Sequence, residues 1–171
     1  EFANMRQINA VTLSYEIPNG MNGGQPPVYK AGTDSSQAVA MQSMQTDGNY
    51  LSVYQIPLKA GAFFSPNSEA DSLQIVLNEK AVQALGWKTA DDAIGKQVRI
   101  PGSDDIFTVK GVTEDFHFSS MQEKISPFIF FKVRFTRTYR YLSFKIKPGN
   151  VSGTIAAIEK NKHIYCEWPL G

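Results

Sequence analysis

One cysteine and two histidines are all that this chain offers toward soft-metal or neutral-pH chemistry. Cys166 alone supplies neither a disulfide framework nor a CxxC zinc site, so it leaves the redox compartment undetermined. His117 and His163 lie outside any HExxH pattern, and no GxSxG elbow or Walker-type phosphate loop occurs. The glycine-rich run from Gly20 to Gly24 lacks the lysine and the strand-to-helix setting that a phosphate loop needs. Charge of one sign is missing as well: 17 Lys and Arg stand against 16 Asp and Glu. The densest basic stretch, Lys132 to Arg140, is spread along a strand and loop, so nucleic acid is not an expected partner. No window approaches the ~18 consecutive apolar residues of a membrane span, and no signal peptide opens the chain.

What is present is the make-up of a folded domain. Apolar residues form 42% of 171, aromatics 12% and charged residues 19%, enough to bury about two-thirds of the unfolded surface. Val11, Leu13, Tyr15 and Ile17 alternate with polar residues, which predicts a half-buried strand. Prolines and glycines from Pro18 to Pro27 then require a loop, and Val28–Ala31 and Ala38–Gln45 read as strands. Tyr50, Leu51 and Tyr54 share one face of a short helix stopped by Pro57, and Gly61 to Pro66 reads as loop. Leu73, Ile75 and Leu77 alternate in a strand. Asn78 is placed to cap a helix from Glu79 to about Leu85, with Gly86 as the left-handed residue that closes it. Thr89 and Asp92 have capping-box spacing for one further turn ending at Gly95.

Val98 and Ile100 pair across a Pro101–Asp105 turn with a strand read from Ile106 to Phe118. Pro127 to Val133 is nearly all apolar and predicts a central strand covered on both faces. Tyr139–Lys147 alternates, with Leu142, Phe144 and Ile146 inward, and Val151, Ile155 and Ile158 mark the stripe of a final helix. Strands outnumber helices and many neighbours can pair antiparallel, so the class is α+β.

Chemistry has few footholds here. On a continuous strand Asp115 and His117 would share a face about 7 Å apart, a spacing in which an aspartate orients a histidine or both hold a metal. Neither a nucleophile beyond Ser119 and Ser120 nor a third ligand is evident, and both side chains equally suit backbone capping at a strand end. Asp91-Asp92 and Asp104-Asp105 sit in caps and turns, where aspartate is favoured without catalysis. Trp87 can stack on a ligand or pack a helix end against the sheet. The loop at Asn19, Gly20, Met21, Asn22 and Gln25 is a candidate partner contact.

Five ordered pieces carry a resemblance: Val76-Leu77-Asn78-Glu79-Lys80-Ala81, Leu85-Gly86-Trp87, Ala93-Ile94-Gly95-Lys96, Phe107 to Val112, and Asp115-Phe116-His117-Phe118. Together with Gly48 to Leu51 and Leu58 to Phe63, their order and spacing resemble the MacB-like periplasmic core domain of MacB/FtsX-type ABC transporter permeases. The resemblance runs from about Ala10 to Ile158. It implies a two-lobed α+β domain with mixed, largely antiparallel sheets and short helices, the second lobe inserted at about 58–118. Asn78, Gly86, Trp87, Gly95, Gly111, Asp115 and His117 are then structural motif positions, with no catalytic, cofactor or metal residues.

The same resemblance implies an extracytoplasmic piece of an inner-membrane protein. Such proteins are dimeric in the membrane and work with a cytoplasmic ATPase subunit or domain, and with a periplasmic adaptor or substrate protein; the isolated domain is expected to be a monomer. Glu1-Phe2 reads as a cloning scar, Phe2, Met5 and Ile8 as the end of a helix that began earlier, and 161–171 as an atypical tail. The competing reading is a free extracytoplasmic peptide- or carbohydrate-binding module using Trp87 and the Asn19 to Pro27 loop. An unrecognised hydrolase built on Asp115 and His117 is a third.

Overall fold

The computed structural model describes residues 5–18, 24–65, 69–118, 124–132 and 140–161. Its frame is a ten-stranded mixed sheet. The strands are β1 (Ile8–Ser14), β2 (Pro27–Lys30), β3 (Val39–Ala40), β4 (Gln42–Thr46), β5 (Leu58–Gly61), β6 (Gln74–Asn78), β7 (Gln97–Arg99), β8 (Ile106–Thr113), β9 (Phe128–Lys132) and β10 (Tyr141–Ile146). In space they run β10-β1-β4-β9-β6-β8-β7-β2-β3, with β5 also paired to β8. The β4–β9 and β6–β8 pairs are parallel and the other pairs antiparallel. Four short helices complete it: α1 (Tyr50–Tyr54), α2 (Glu79–Ala84), α3 (Ala90–Ala93) and α4 (Val151–Asn161). None of the described helices is long and apolar enough to cross a membrane.

The central strands explain why their sequences are apolar on both faces. Along β6, Ile75 and Leu77 enter one buried cluster and Val76 the other. Along β9, Ile129 joins the first, while Phe128 and Phe130 join the second. The first cluster packs α2 and α3 residues (Ala81, Val82, Ala93) against β7 and β8. The second is aromatic and gathers Tyr50, Phe64, Phe118, Phe128 and Phe130. Most of its ring pairs meet edge-to-face or tilted, as between Phe63 and Phe130 at 5.7 Å between centroids. Each fully buried ring of this kind contributes about 2–3 kcal/mol through burial.

Several local expectations change. Ile8 begins β1, paired with Ile146, where a helix end was expected. The Ala38–Gln45 strand is interrupted at Met41: β3 pairs with β2, and β4 with β1 and β9. Helix α1 is closed by Gln55 in the left-handed region (φ 55°), two residues before Pro57. Strand β5 occupies Leu58–Gly61. Strand β8 ends at Thr113 and not at Phe118. Leu142 does not point inward but is 38% exposed, because β10 is the first strand of the sheet order. On α4 the residues Val151 and Ile155 are exposed and Thr154 is buried, so the helix forms where expected but shows part of its apolar stripe to solvent. Glu1 and Phe2, read above as a cloning scar, and the tail beyond Asn161 lie outside the described residues.

Candidate functional site

Two of the motif residues, Asn78 and Asp115, meet at the start of α2. Asn78 is fully buried at the last position of β6. Its Oδ1 accepts from the Ala81 N–H (2.9 Å) and from the Phe128 N–H (2.8 Å). Its Nδ2 donates to the Ser126 carbonyl at 3.0 Å. One side chain therefore caps α2 and fastens the entry of β9. Short polar side chains are favoured at such caps because they replace the missing intrahelical partner of the first N–H groups.

Asp115 completes the clasp from the other side. Its Oδ1 accepts from the Lys80 N–H at 2.9 Å, while its own N–H donates to Glu79 Oε2 at 3.3 Å. Glu79 Oε1 also lies 3.6 Å from Lys59 Nζ on β5. The first turn of α2 thus ties together β5, β6, β9 and the segment leaving β8. Asp115 and His117 both stand beyond the end of β8, so strand geometry does not set them on a common face. His117 is exposed. Among the described residues no group of three His, Cys, Asp or Glu could hold a metal ion.

The far end of α2 closes in a Schellman motif. Trp87 N–H donates to the Val82 carbonyl at 3.1 Å, and Gly86 N–H to that of Gln83 at 2.9 Å. Gly86 takes φ 76°, the left-handed conformation this motif needs. Trp87 is half-buried against the α2/α3 cluster. Its remaining surface borders an open hollow of about 460 Å³ that Lys88, Asp91, Asp92, Ile94 and Lys96 also line. Thr89 and Asp92 form the full capping box of α3, and Gly95 donates its N–H to the Val109 carbonyl at 2.8 Å.

Gly111 of β8 lies close against the chain leaving β5. It pairs with Gly61, and a Cβ added to it would press into the Ala62 backbone, 3.0 Å from the carbonyl carbon and closer still to the oxygen. Of the loop candidates, Asn19, Gly20, Met21 and Asn22 lie outside the described residues, whereas Gln25 is exposed.

Sequence reading missed a second tie. Asp71, 5% exposed, accepts from Lys110 Nζ (2.5 Å) and from the Ser65 N–H (2.6 Å), with Lys132 Nζ 3.8 Å away. Lys132 also donates to the Ser65 carbonyl. Lys110 and Lys132 reach in from β8 and β9, the strands flanking β6, and pin Ser65 and Asp71 against the sheet. Nothing in sequence marks this cluster, since Lys110 lies 39 residues from Asp71 and Lys132 lies 67 from Ser65. Burial alone would raise the Asp71 carboxyl. The Lys110 hydrogen bond, the Ser65 N–H and the two ammonium charges together outweigh it and hold the carboxyl below its usual range. A lowered folded-state pKa gives stability that is present above the unfolded value and is lost as pH falls through the folded one. Asp71→Asn should therefore lower stability by about 2 kcal/mol at pH 7. In urea melts the gap to wild type should close only below about pH 4.

Comparison with known proteins agrees with this architecture. Residues 5–161 match the sequence profile of the MacB-like periplasmic core domain. No curated protein matches the chain in sequence at a significant level. Among solved structures, the periplasmic region of MacB from Actinobacillus actinomycetemcomitans is similar, with TM-score 0.60, 17% identity, and coverage of 95% of this chain and 68% of that one. A permease-protein domain from Porphyromonas gingivalis gives TM-score 0.64 at 15% identity, over 94% of this chain and 72% of that one. The extracellular domain of the noncanonic ABC-type transporter YknZ from Gram-positive bacteria gives 0.62 at 15% identity, over 95% and 80%. At these identities the solved structures attest the fold.

Proposed function

Because the chain belongs to the MacB-like periplasmic core domain family, we propose that it is the extracytoplasmic domain of a MacB/FtsX-type ABC transporter permease. In this reading it is non-catalytic and couples cytoplasmic ATP hydrolysis to export, or to the action of a periplasmic partner, through conformational change. The observation that carries it is the family match together with how the motif residues are used. Asn78, Asp115, Gly86, Gly95 and Gly111 spend their polar atoms and their missing side chains on joining strands and helices. A junction tied in this way suits a part that relays displacement.

Its partners are then a cytoplasmic ATPase subunit or domain, reached through membrane spans of the parent protein, and a periplasmic adaptor or substrate protein. The parent is a dimer in the inner membrane and the isolated domain a monomer. The test uses the full-length parent with its ATPase in proteoliposomes, with residues 5–161 replaced by a short flexible linker. ATP hydrolysis should persist while transport, or activation of the periplasmic partner, is lost. Transport that continues unchanged without the domain would overturn the reading.

A second reading has the hollow beside Trp87 in its favour: a peptide- or carbohydrate-binding module. In a Trp168→Phe background, saturable quenching of Trp87 fluorescence by glycans or short peptides would support it, and a flat titration would count against it.

A further inference from the structure

The hollow beside Trp87 has firmly held walls. Trp87 itself closes the Schellman motif of α2 and packs against the α2/α3 cluster. Across from it, the start of α3 is fixed by the reciprocal bonds of Thr89 and Asp92, at 3.1 and 3.2 Å. The end of α3 is fixed by two N–H groups: Gly95 donates to the Val109 carbonyl at 2.8 Å and Lys96 to the Ala93 carbonyl at 3.1 Å. Both walls are therefore set before a ligand arrives, which spares the ordering cost that a loop-built site incurs.

The fold leaves most of the polar groups on these walls unused. Lys88, Asp91 and Lys96 line the hollow, and all three are exposed. Among the described residues their side chains form no hydrogen bond and no ion pair. Asp92 gives only Oδ2 to its capping box and leaves Oδ1 open. Two ammonium groups thus face the same space as two carboxylates, and the charges of the four lining side chains cancel. Neither lysine comes within ion-pair reach of either aspartate.

An ammonium group only donates hydrogen bonds and an ionised carboxylate only accepts them. A hydroxyl does both, so a ring that carries several hydroxyls bridges lysine to aspartate where the two do not reach each other. The C–H groups on the face of such a ring are polarised by the neighbouring oxygens and meet the negative face of an indole. We propose that the hollow is a carbohydrate subsite that takes a neutral pyranose. Trp87 is the stacking platform, Asp91 and Asp92 Oδ1 accept from ring hydroxyls, and Lys88 and Lys96 donate to ring oxygens.

The subsite rests on the second reading above, ligand binding at this hollow, and commits that reading to sugar in place of peptide. A peptide side chain of either charge is attracted by one pair of lining groups and repelled by the other. A neutral ring meets no such conflict. The volume of about 460 Å³ falls within the ~300–1,000 Å³ usual for small-ligand pockets. Because the hollow is open, it grips a ring from one side, and single rings bind weakly and exchange quickly. Weak contacts of this kind suit a polymer, whose repeated units raise occupancy.

The test uses the 171-residue chain with Trp168→Phe, in which Trp87 is the remaining tryptophan. The probes are maltotriose, cellotriose and chitotriose, with tetraglutamate and tetralysine as charged peptides. At least one sugar should change Trp87 emission saturably, with half-saturation near ~1 mM, the affinity that ordinary ligand efficiency gives a single ring. Asp91→Ala and Lys96→Ala should each weaken it about 5–10-fold and melt as the parent chain does. Salt at about 0.5 M should leave the half-saturation of a neutral ligand in place. Amide shifts of the wild-type chain locate the sugar without any variant, and those of Trp87, Lys88, Asp91 and Lys96 should move together. Sugar binding that shifts other amides, or that both alanine variants leave unchanged, overturns the subsite. Silence from all three sugars with a response to a charged peptide overturns the sugar class and keeps the binding-module reading. Silence from every probe removes both.

Discussion

Replacing Asn78 by alanine is expected to remove about 4 kcal/mol of folding stability, a large part of the ~5–15 kcal/mol typical of a domain. Three hydrogen bonds go at once, all from a fully buried side chain. Loss of an N-cap costs about 1 kcal/mol. The Phe128 N–H and the Ser126 carbonyl, left without their partner, add about 1–3 kcal/mol each where water cannot reach them. Asn78→Asp separates these contributions. The carboxylate keeps both acceptor bonds and favours the α2 N-terminus, but it loses the donor to Ser126 and buries a charge. Urea denaturation should rank wild type above Asn78→Asp at pH 7, with Asn78→Ala lowest. The gap between wild type and the aspartate variant should narrow at low pH, where the acid is neutral and can donate again. An alanine variant within 1 kcal/mol of wild type would mean that the hydrogen bonds do not fasten this junction.

Gly111→Ala is the second large effect, and its mechanism is steric. The new methyl would meet the backbone of Ala62 rather than a side chain that could rotate away. Either β5 moves off β8 or β8 bends, and both disturb the Gly61–Gly111 pairing. A cost of about 3 kcal/mol is expected, at the upper end of overpacking penalties because backbone yields less than side chains. Gly95→Ala is the control. No atom stands within 4 Å of the Cβ it would add, so only the left-handed φ of 76° is penalised, at about 1 kcal/mol. Hydrogen exchange reports the difference: Gly111→Ala should speed exchange of the Ala62 amide, which donates to the Lys110 carbonyl, and Gly95→Ala should leave that amide unchanged.

Legibility in the sequence followed range. Asn78, Gly86, and the Thr89 and Asp92 capping box were readable because a cap depends on residues within three or four positions. The all-apolar β9 was readable as a central strand because burial on both faces leaves no room for alternation. The errors arose where tertiary contacts copied a local pattern. Phe116 and Phe118 continue the alternation of β8, yet they belong to an irregular segment laid across the other face. Phe116 stacks on Phe130 at 5.7 Å and Phe118 meets Phe128 at 5.0 Å. Strand β5 was invisible because Lys59 and Gly61 give it no strand propensity, and pairing with β8 supplies the order instead. Asp71 and its two lysines join residues far apart in the chain, and no spacing rule reaches them.

The order of strands has a consequence for how this chain is made. Strand β1 leaves the ribosome before both its neighbours in the sheet, β4 from residue 42 and β10 from residue 141. Its pairing with β10 uses nearly its whole length, while it meets β4 only through Ser14 and Thr46. Strand β1 therefore waits, with one flank bare, until β10 has been synthesised. Contacts of such long sequence separation form slowly, and a waiting strand is open to the wrong partner. Nascent chains released before residue 141 should accordingly fail to protect β1 from protease, whereas chains extending past Ile146 should protect it.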